Sequence, residues 1–227
     1  MRFIRTLLMS LGFNTTNLRL SSAKVLQADF ARNCFPEPVT TLIGTTPTLP
    51  ISGDATELPA TNLALQYVAI GRGTQNYTCK ASNSDPVQLG AAATLFDATT
   101  LAYDDTALLH SIPPIIVYLP LPPLVFPMVL GNHYFDQAGT PVFNLSSVDR
   151  ILYGMKAADI AAPSAASKGP AGTGAIDWLQ LSPKPEDKSV GLSLVYRVVT
   201  AGGAAPNICT VEGVVIVQYA AEYWFYA

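Results

Sequence analysis

The chain has 227 residues, of which 49% are hydrophobic and 13% charged, with 13 basic and 16 acidic side chains and a formal net charge of −3. With no Lys/Arg run, it lacks the clustered positive charge by which a nucleic-acid binder displaces phosphate counterions. Ample Val, Ile, Leu and Tyr exclude a disordered chain, and the length fits one large domain or two small ones, an all-β sandwich of this size being ordinarily a single domain.

Met1 to Ala28 carries Arg2, Arg5, Arg19 and Lys24, no acid before Asp29, and a short apolar stretch from Thr6 to Phe13. Residues 1–23 read first as a secretory signal with Ser21-Ser22-Ala23 as the small-residue cleavage site, although Arg5 interrupts the apolar stretch. An Arg- and Ser/Thr-rich leader without acids also fits mitochondrial import, the alternative to an extracellular destination. Glycosylation triplets beginning at Asn14, Asn76 and Asn144 favour secretion. Residues 24–64 form an N-terminal extension with one short helix, Ala23 to Asn33, stopped by Pro36 and Pro38.

Residues 65–227 read as a single β domain. Strands rich in β-branched and aromatic residues are expected at Leu65 to Ile70, Thr74 to Cys79, Ala92 to Phe96, Pro141 to Leu145, Ile176 to Leu181, Leu194 to Thr200, Val211 to Tyr219 and Glu222 to Tyr226. Gly71-Arg72-Gly73, Asp136 to Gly139 and Ala201-Gly202-Gly203 read as turns between them, and Lys156 to Gly174 as a long loop. Ser111 to Leu130 is apolar enough to suggest a membrane span, but Pro113, Pro114, Pro120, Pro122, Pro123 and Pro127 argue against a helix. The expectation is an extended, polyproline-like excursion that packs on the domain or offers an apolar patch to a partner, and no transmembrane segment. No long amphipathic helix alternates with the strands, so the fold class is all-β: an antiparallel sandwich or barrel with long loops and little helix.

Cys34, Cys79 and Cys209 lack metal-ligand spacing, and no metal is expected. In an oxidising compartment Cys79 pairs with Cys209, since each closes or follows a strand-like run near a Gly-rich turn; in a reducing one, three buried thiols are the reading. His133 with Asp136 is a candidate general base and orienting acid, against an ordinary Asp136 turn and a packed strand histidine. Asp97 and Asp177 are a candidate glycosidase-type pair, against an Asx turn before a core Trp178. Asp104-Asp105 lacks the alternating acids of a calcium loop. In Glu222 to Tyr226, period-two alternation puts Glu222, Trp224 and Tyr226 on one face and Tyr223 and Phe225 on the other. Glu222 inside such a strand needs a cation, and Arg197 or Arg72 can supply it; Arg197 with Glu222 is the expected structural ion pair.

Three ordered stretches carry a resemblance: Gly71-Arg72-Gly73-Thr74-Gln75-Asn76-Tyr77-Thr78-Cys79, then Gly174 to Leu179, then Tyr196 to Gly203 followed by Cys209 and Tyr219 to Tyr226. Ala93 to Asp97 and Gly131 to Phe135 agree with it. The pattern resembles a secreted fungal and bacterial family classed as a domain of unknown function, whose fungal members often carry the label malate dehydrogenase. It covers about Leu65 to Ala227, and it implies a Cys79–Cys209 bridge with Cys34 left free. A nicotinamide site needs a glycine turn from a strand into a helix, whereas Gly71-Arg72-Gly73 leads into another strand. NAD binding, and any other cofactor, is therefore not expected. The leading function is a non-catalytic module binding a glycan, a small molecule or a surface protein, with Trp178, Trp224 and Tyr134 as ligand contacts. The alternative is an enzyme, either a hydrolase using His133 and Asp136, with Asp177 a further candidate, or the labelled dehydrogenase.

Overall fold

The structure, a computed structural model, describes residues 45–121 and 128–227. The leader, the helix expected over Ala23 to Asn33, Cys34, the Asn14 triplet and Pro122, Pro123 and Pro127 lie outside the described residues.

Eight strands close into a barrel: β1 (Leu65–Cys79), β2 (Val87–Asp97), β3 (Val129–Phe135), β4 (Pro141–Leu145), β5 (Arg150–Ile160), β6 (Trp178–Pro183), β7 (Leu194–Gly202) and β8 (Gly213–Tyr226). Each is antiparallel to its neighbours in chain order, and β1 pairs with β8 to remove the sheet edges. Among the described residues, two helices, α1 (Thr99–Asp104) and α2 (Thr106–Ile116), lie between β2 and β3.

The expected barrel or sandwich is thus a barrel, with several boundaries moved. Gly71-Arg72-Gly73 is not a turn but the middle of β1. A Cβ at Gly71 would lie 2.4 Å from the Tyr223 ring, and one at Gly73 would lie 2.0 Å from the Ala92 carbonyl oxygen. These glycines are there for close approach inside a strand, not for chain reversal. Val211 to Tyr219 and Glu222 to Tyr226 likewise fuse into β8, because Ala220 and Ala221 are fully buried strand residues. β5 runs on to Ile160, so the loop expected from Lys156 starts later.

The largest correction concerns the proline-rich segment. Its first part is helical: α2 contains Pro113 and Pro114. Both prolines fall in the second half of the helix, whose start is secured by the Asp105 side chain accepting from the Leu108 N–H at 2.9 Å. Leu109, Pro113 and Ile116 are buried against the barrel, which offsets the lost helical bonds. Arg72 then holds the far end. Its guanidinium donates to the carbonyls of Ile116 (3.0 Å), Val117 (3.0 Å) and Leu119 (2.8 Å), where a helix leaves its last acceptors without intrahelical donors. It also donates to the Tyr219 carbonyl and to Gln218 Oε1, so the same side chain pins α2 to β8. No helix among the described residues is long and apolar enough to cross a membrane.

Strand alternation sorts the apolar residues into two clusters. Ala69, Leu95, Phe143, Leu181, Val195, Tyr223 and Phe225 fill the barrel interior. Val68, Leu109, Ile116, Trp178, Tyr196, Trp224 and Tyr226 form an outer cluster between the barrel wall and the helices. Residues 45–64 pack on that outer layer: Leu49 and Leu58 lie against it, and the Pro59 carbonyl accepts from the Tyr196 hydroxyl at 2.6 Å. This double cover explains why the end of β8 is buried on both faces.

The expected Arg197–Glu222 ion pair is not formed. The two residues sit on adjacent strands, but Glu222 faces Val198 in the register and Arg197 faces Tyr223. Alternation therefore sends them to opposite sides of the barrel wall. Glu222, fully buried in the outer layer, accepts from His110 Nδ1 of α2 at 2.8 Å and from Trp224 Nε1 at 2.9 Å. Arg197 points inward. Cys79 and Cys209 are bonded, with Cα atoms 5.6 Å apart, tying the end of β1 to the loop before β8.

Candidate functional site

One end of the barrel opens into a cavity of about 690 Å³. Its apolar walls come from Phe143 of β4, Leu179 and Leu181 of β6 and Tyr223 of β8; His133 of β3 and Arg197 of β7 supply polar groups. Inward-facing positions of every strand from β3 to β8 meet there because a closed sheet points alternate residues at one axis. Lys156, Asp159, Lys184 and Glu186 stand at the rim.

His133 is 3% exposed and stacks on Phe143, with ring centroids 4.2 Å apart. Its Nδ1 lies 2.9 Å from the Val142 carbonyl, an acceptor, so Nδ1 carries the proton and Nε2 is the unprotonated nitrogen. Burial pushes its pKa down to about 4, the bond to Val142 opposes that shift, and the charge of Arg197 adds to it. The imidazole is neutral at neutral pH.

The folded pKa of His133 lies below the ordinary 6.5, so between these values the unfolded chain binds the extra proton and stability falls with the pH. The loss amounts to about 3 kcal/mol between about pH 6.5 and pH 4. In urea melts across that range, His133→Gln should lose less stability on acidification than the native chain. An acid limb of equal depth in both proteins would contradict this placement of His133.

Arg197 is 5% exposed, and its Nε and Nη2 donate to the Asp177 backbone carbonyl at 3.3 and 2.8 Å. No carboxylate lies within ion-pair distance of it among the described residues. Three phenols are near enough to feel its charge: Tyr77, Tyr219 and Tyr223. Burial raises all three pKa values, that of Tyr77 to about 12, and the guanidinium only partly offsets it. They stay protonated, and the hydroxyls of Tyr219 and Tyr223 bond each other at 2.9 Å. Two residues beyond Arg197, the β7–β8 register shifts at Val199, a β-branched residue with φ of 45°. Such strained bulges gather at functional sites.

The expected site residues are only partly brought together. His133 and Asp177 line the cavity, and so does Arg197, which the sequence places in an ion pair. Asp136 does not orient His133; its Oδ1 accepts from the Ala138 and Thr140 N–H groups at 2.9 and 2.8 Å, closing the turn. Asp97 Oδ1 accepts from the Thr99 N–H just before α1, and Asp97 lines a different cavity, so it forms no catalytic pair with Asp177. Trp178 and Trp224 are buried in the outer cluster, and Tyr134 lies on the outer surface at 38% exposure, so the three aromatic ligand contacts do not converge. Among the described residues no cluster of three or more His, Cys, Asp or Glu is placed to hold a metal ion. Sequence reasoning missed Phe143 and Tyr223 as site residues; the signal available for both was their odd position in an alternating strand.

The fold is a closed antiparallel barrel with a mixed apolar and charged cavity at one mouth. Residues 59–227 match the family described as protein of unknown function (DUF3455), and the chain belongs to that family. No curated protein and no solved structure matches it.

Proposed function

We propose that the protein is a binding module that takes a small, largely apolar molecule into the mouth of its barrel. The observation that carries this reading is the cavity of about 690 Å³, a volume suited to a small ligand, with an apolar wall of Phe143, Leu179, Leu181 and Tyr223 beside Arg197 and charged groups at the rim. A glycan is the poorer fit, because both tryptophans that would stack on a sugar are buried in the outer cluster and neither lines the barrel mouth. A hydrolase working through His133 and Asp136 is less supported as well. Asp136 is occupied by its own turn, and a histidine with a pKa of about 4 is a weak base at neutral pH. Secretion belongs to the same proposal; the Cys79–Cys209 bond supports it, since such bonds persist in oxidising compartments.

Titration of the full chain with N-phenylnaphthylamine, a neutral fluorophore that brightens in apolar surroundings, tests the reading. Binding should saturate at one site. Leu179→Trp, which adds bulk at the half-open mouth, should weaken it by about tenfold or more with the melting temperature preserved. Failure to saturate, or equal affinity in a folded Leu179→Trp variant, would remove the cavity as the binding site.

A further inference from the structure

We infer that the molecule bound at the barrel mouth carries a single carboxylate, seated on Arg197, with its apolar body between the His133–Phe143 stack and the Leu179–Leu181 wall; this rests on the binding function proposed above.

Arg197 is the starting point. Its guanidinium is almost wholly buried, yet its hydrogen-bond acceptors among the described residues are neutral, the Asp177 backbone carbonyl and the Tyr223 hydroxyl. A buried cation without an anion is costly, and the usual resolution is a charged partner. The surrounding side chains cannot provide one: the phenols of Tyr77, Tyr219 and Tyr223 stay protonated, and His133 is neutral. The planar fork has five N–H donors and retains some beyond those on Asp177 and Tyr223, and a carboxylate matches that geometry with two parallel bonds. Because Arg197 lines the cavity, a ligand anion can reach it.

The rim limits the ligand to one charge. Lys156 pairs with Asp159 at 3.1 Å and Lys184 with Asp187 at 3.3 Å, so both lysines are already matched. Asp177 and Glu186, exposed and outside any ion pair among the described residues, leave the entrance negative. A second carboxylate on the outer end of the ligand would face those acids, and like charges in such positions oppose binding. The deep wall selects for an anion and the entrance against a dianion.

Displacement of N-phenylnaphthylamine from the full chain by naphthoate, naphthamide and naphthalenedicarboxylate separates these terms, because the ring system is constant. Naphthoate should bind at least about tenfold more tightly than naphthamide, the usual scale for a hydrogen bond to a charged group, and the dicarboxylate more weakly than naphthoate. Arg197→Gln keeps a donor for the Asp177 carbonyl; it should erase the preference for naphthoate while leaving naphthamide binding in place. Equal affinity of naphthoate and naphthamide for the native chain overturns the carboxylate assignment and leaves the cavity reading standing. A dicarboxylate as tight as naphthoate overturns the restriction to one charge. If N-phenylnaphthylamine itself does not bind saturably, both this inference and the proposed function fall. Should Arg197→Gln not fold, the three ligands on the native chain decide the matter alone.

Discussion

Replacing Cys79 and Cys209 together by Ala should destabilise the fold by about 5 kcal/mol, the largest effect expected of any change described here. The bond closes a loop over a sequence separation of 130, so breaking it releases much of the chain to the unfolded state. It joins Cys79, paired with Gly213 at the end of β1, to Cys209, which lies outside the strands. The Cys209 backbone is otherwise fixed by two bonds to the turn after β1, from Asn83 N–H at 2.8 Å and to the Ser84 carbonyl at 2.9 Å. Denaturant melts of the native and double-Ala chains measure the difference, and peptide mapping without reductant should recover the Cys79–Cys209 link with Cys34 unbridged. A loss below about 1 kcal/mol would show that the loop is restrained by other contacts, and a bridge to Cys34 would overturn the pairing.

The second large effect lies beneath α2. Glu222→Ala should cost about 3–5 kcal/mol, because it leaves Trp224 Nε1 buried without an acceptor and strips His110 of its partner. The pH dependence identifies the cause. The hydrogen bond to Glu222 raises the His110 pKa above the ordinary 6.5, with burial opposing it. The stabilisation is therefore complete below about pH 6.5 and is lost as the pH rises through the raised value. His110→Ala should cost more near pH 6 than near pH 9, in denaturant melts at the two pH values; a cost independent of pH would mean that packing alone holds His110. His133 titrates with the opposite sign, so the combined contribution of the two histidines is greatest near pH 6.5.

Period-two alternation and turn chemistry made much of the barrel legible. Pro141 to Leu145 was bounded correctly by its flanking turn and loop, and the Asp136 turn is closed by the side chain expected to close it. What failed were signals whose meaning depends on neighbours. Gly71-Arg72-Gly73 has the composition of a turn, but its glycines answer to the Tyr223 ring and the Ala92 carbonyl, neither of which is visible locally. Pro113 and Pro114 forbid a helix by local rules, yet burial of Leu109 and Ile116 and the donors of Arg72 outweigh them. For Glu222 the need for a cationic partner was readable and the partner was not. One step along β7, from Val198 to Arg197, reverses the side of the wall, and no sequence rule places His110 of α2 over Glu222. The cavity was hidden for the same reason: it exists only when β3 to β8 curve round one axis.

On the proposed binding function, ligands enter the barrel mouth rather than the aromatic layer beneath the helices. Methyl-resolved NMR during titration with N-phenylnaphthylamine tests it most directly, since the two places carry different leucines and isoleucines. The methyl signals of Ile176, Leu179 and Leu181 should shift with a common saturation curve while those of Leu109 and Ile116 stay fixed. Shifts confined to Leu109 and Ile116, or spread evenly over both sets, would contradict binding at the mouth.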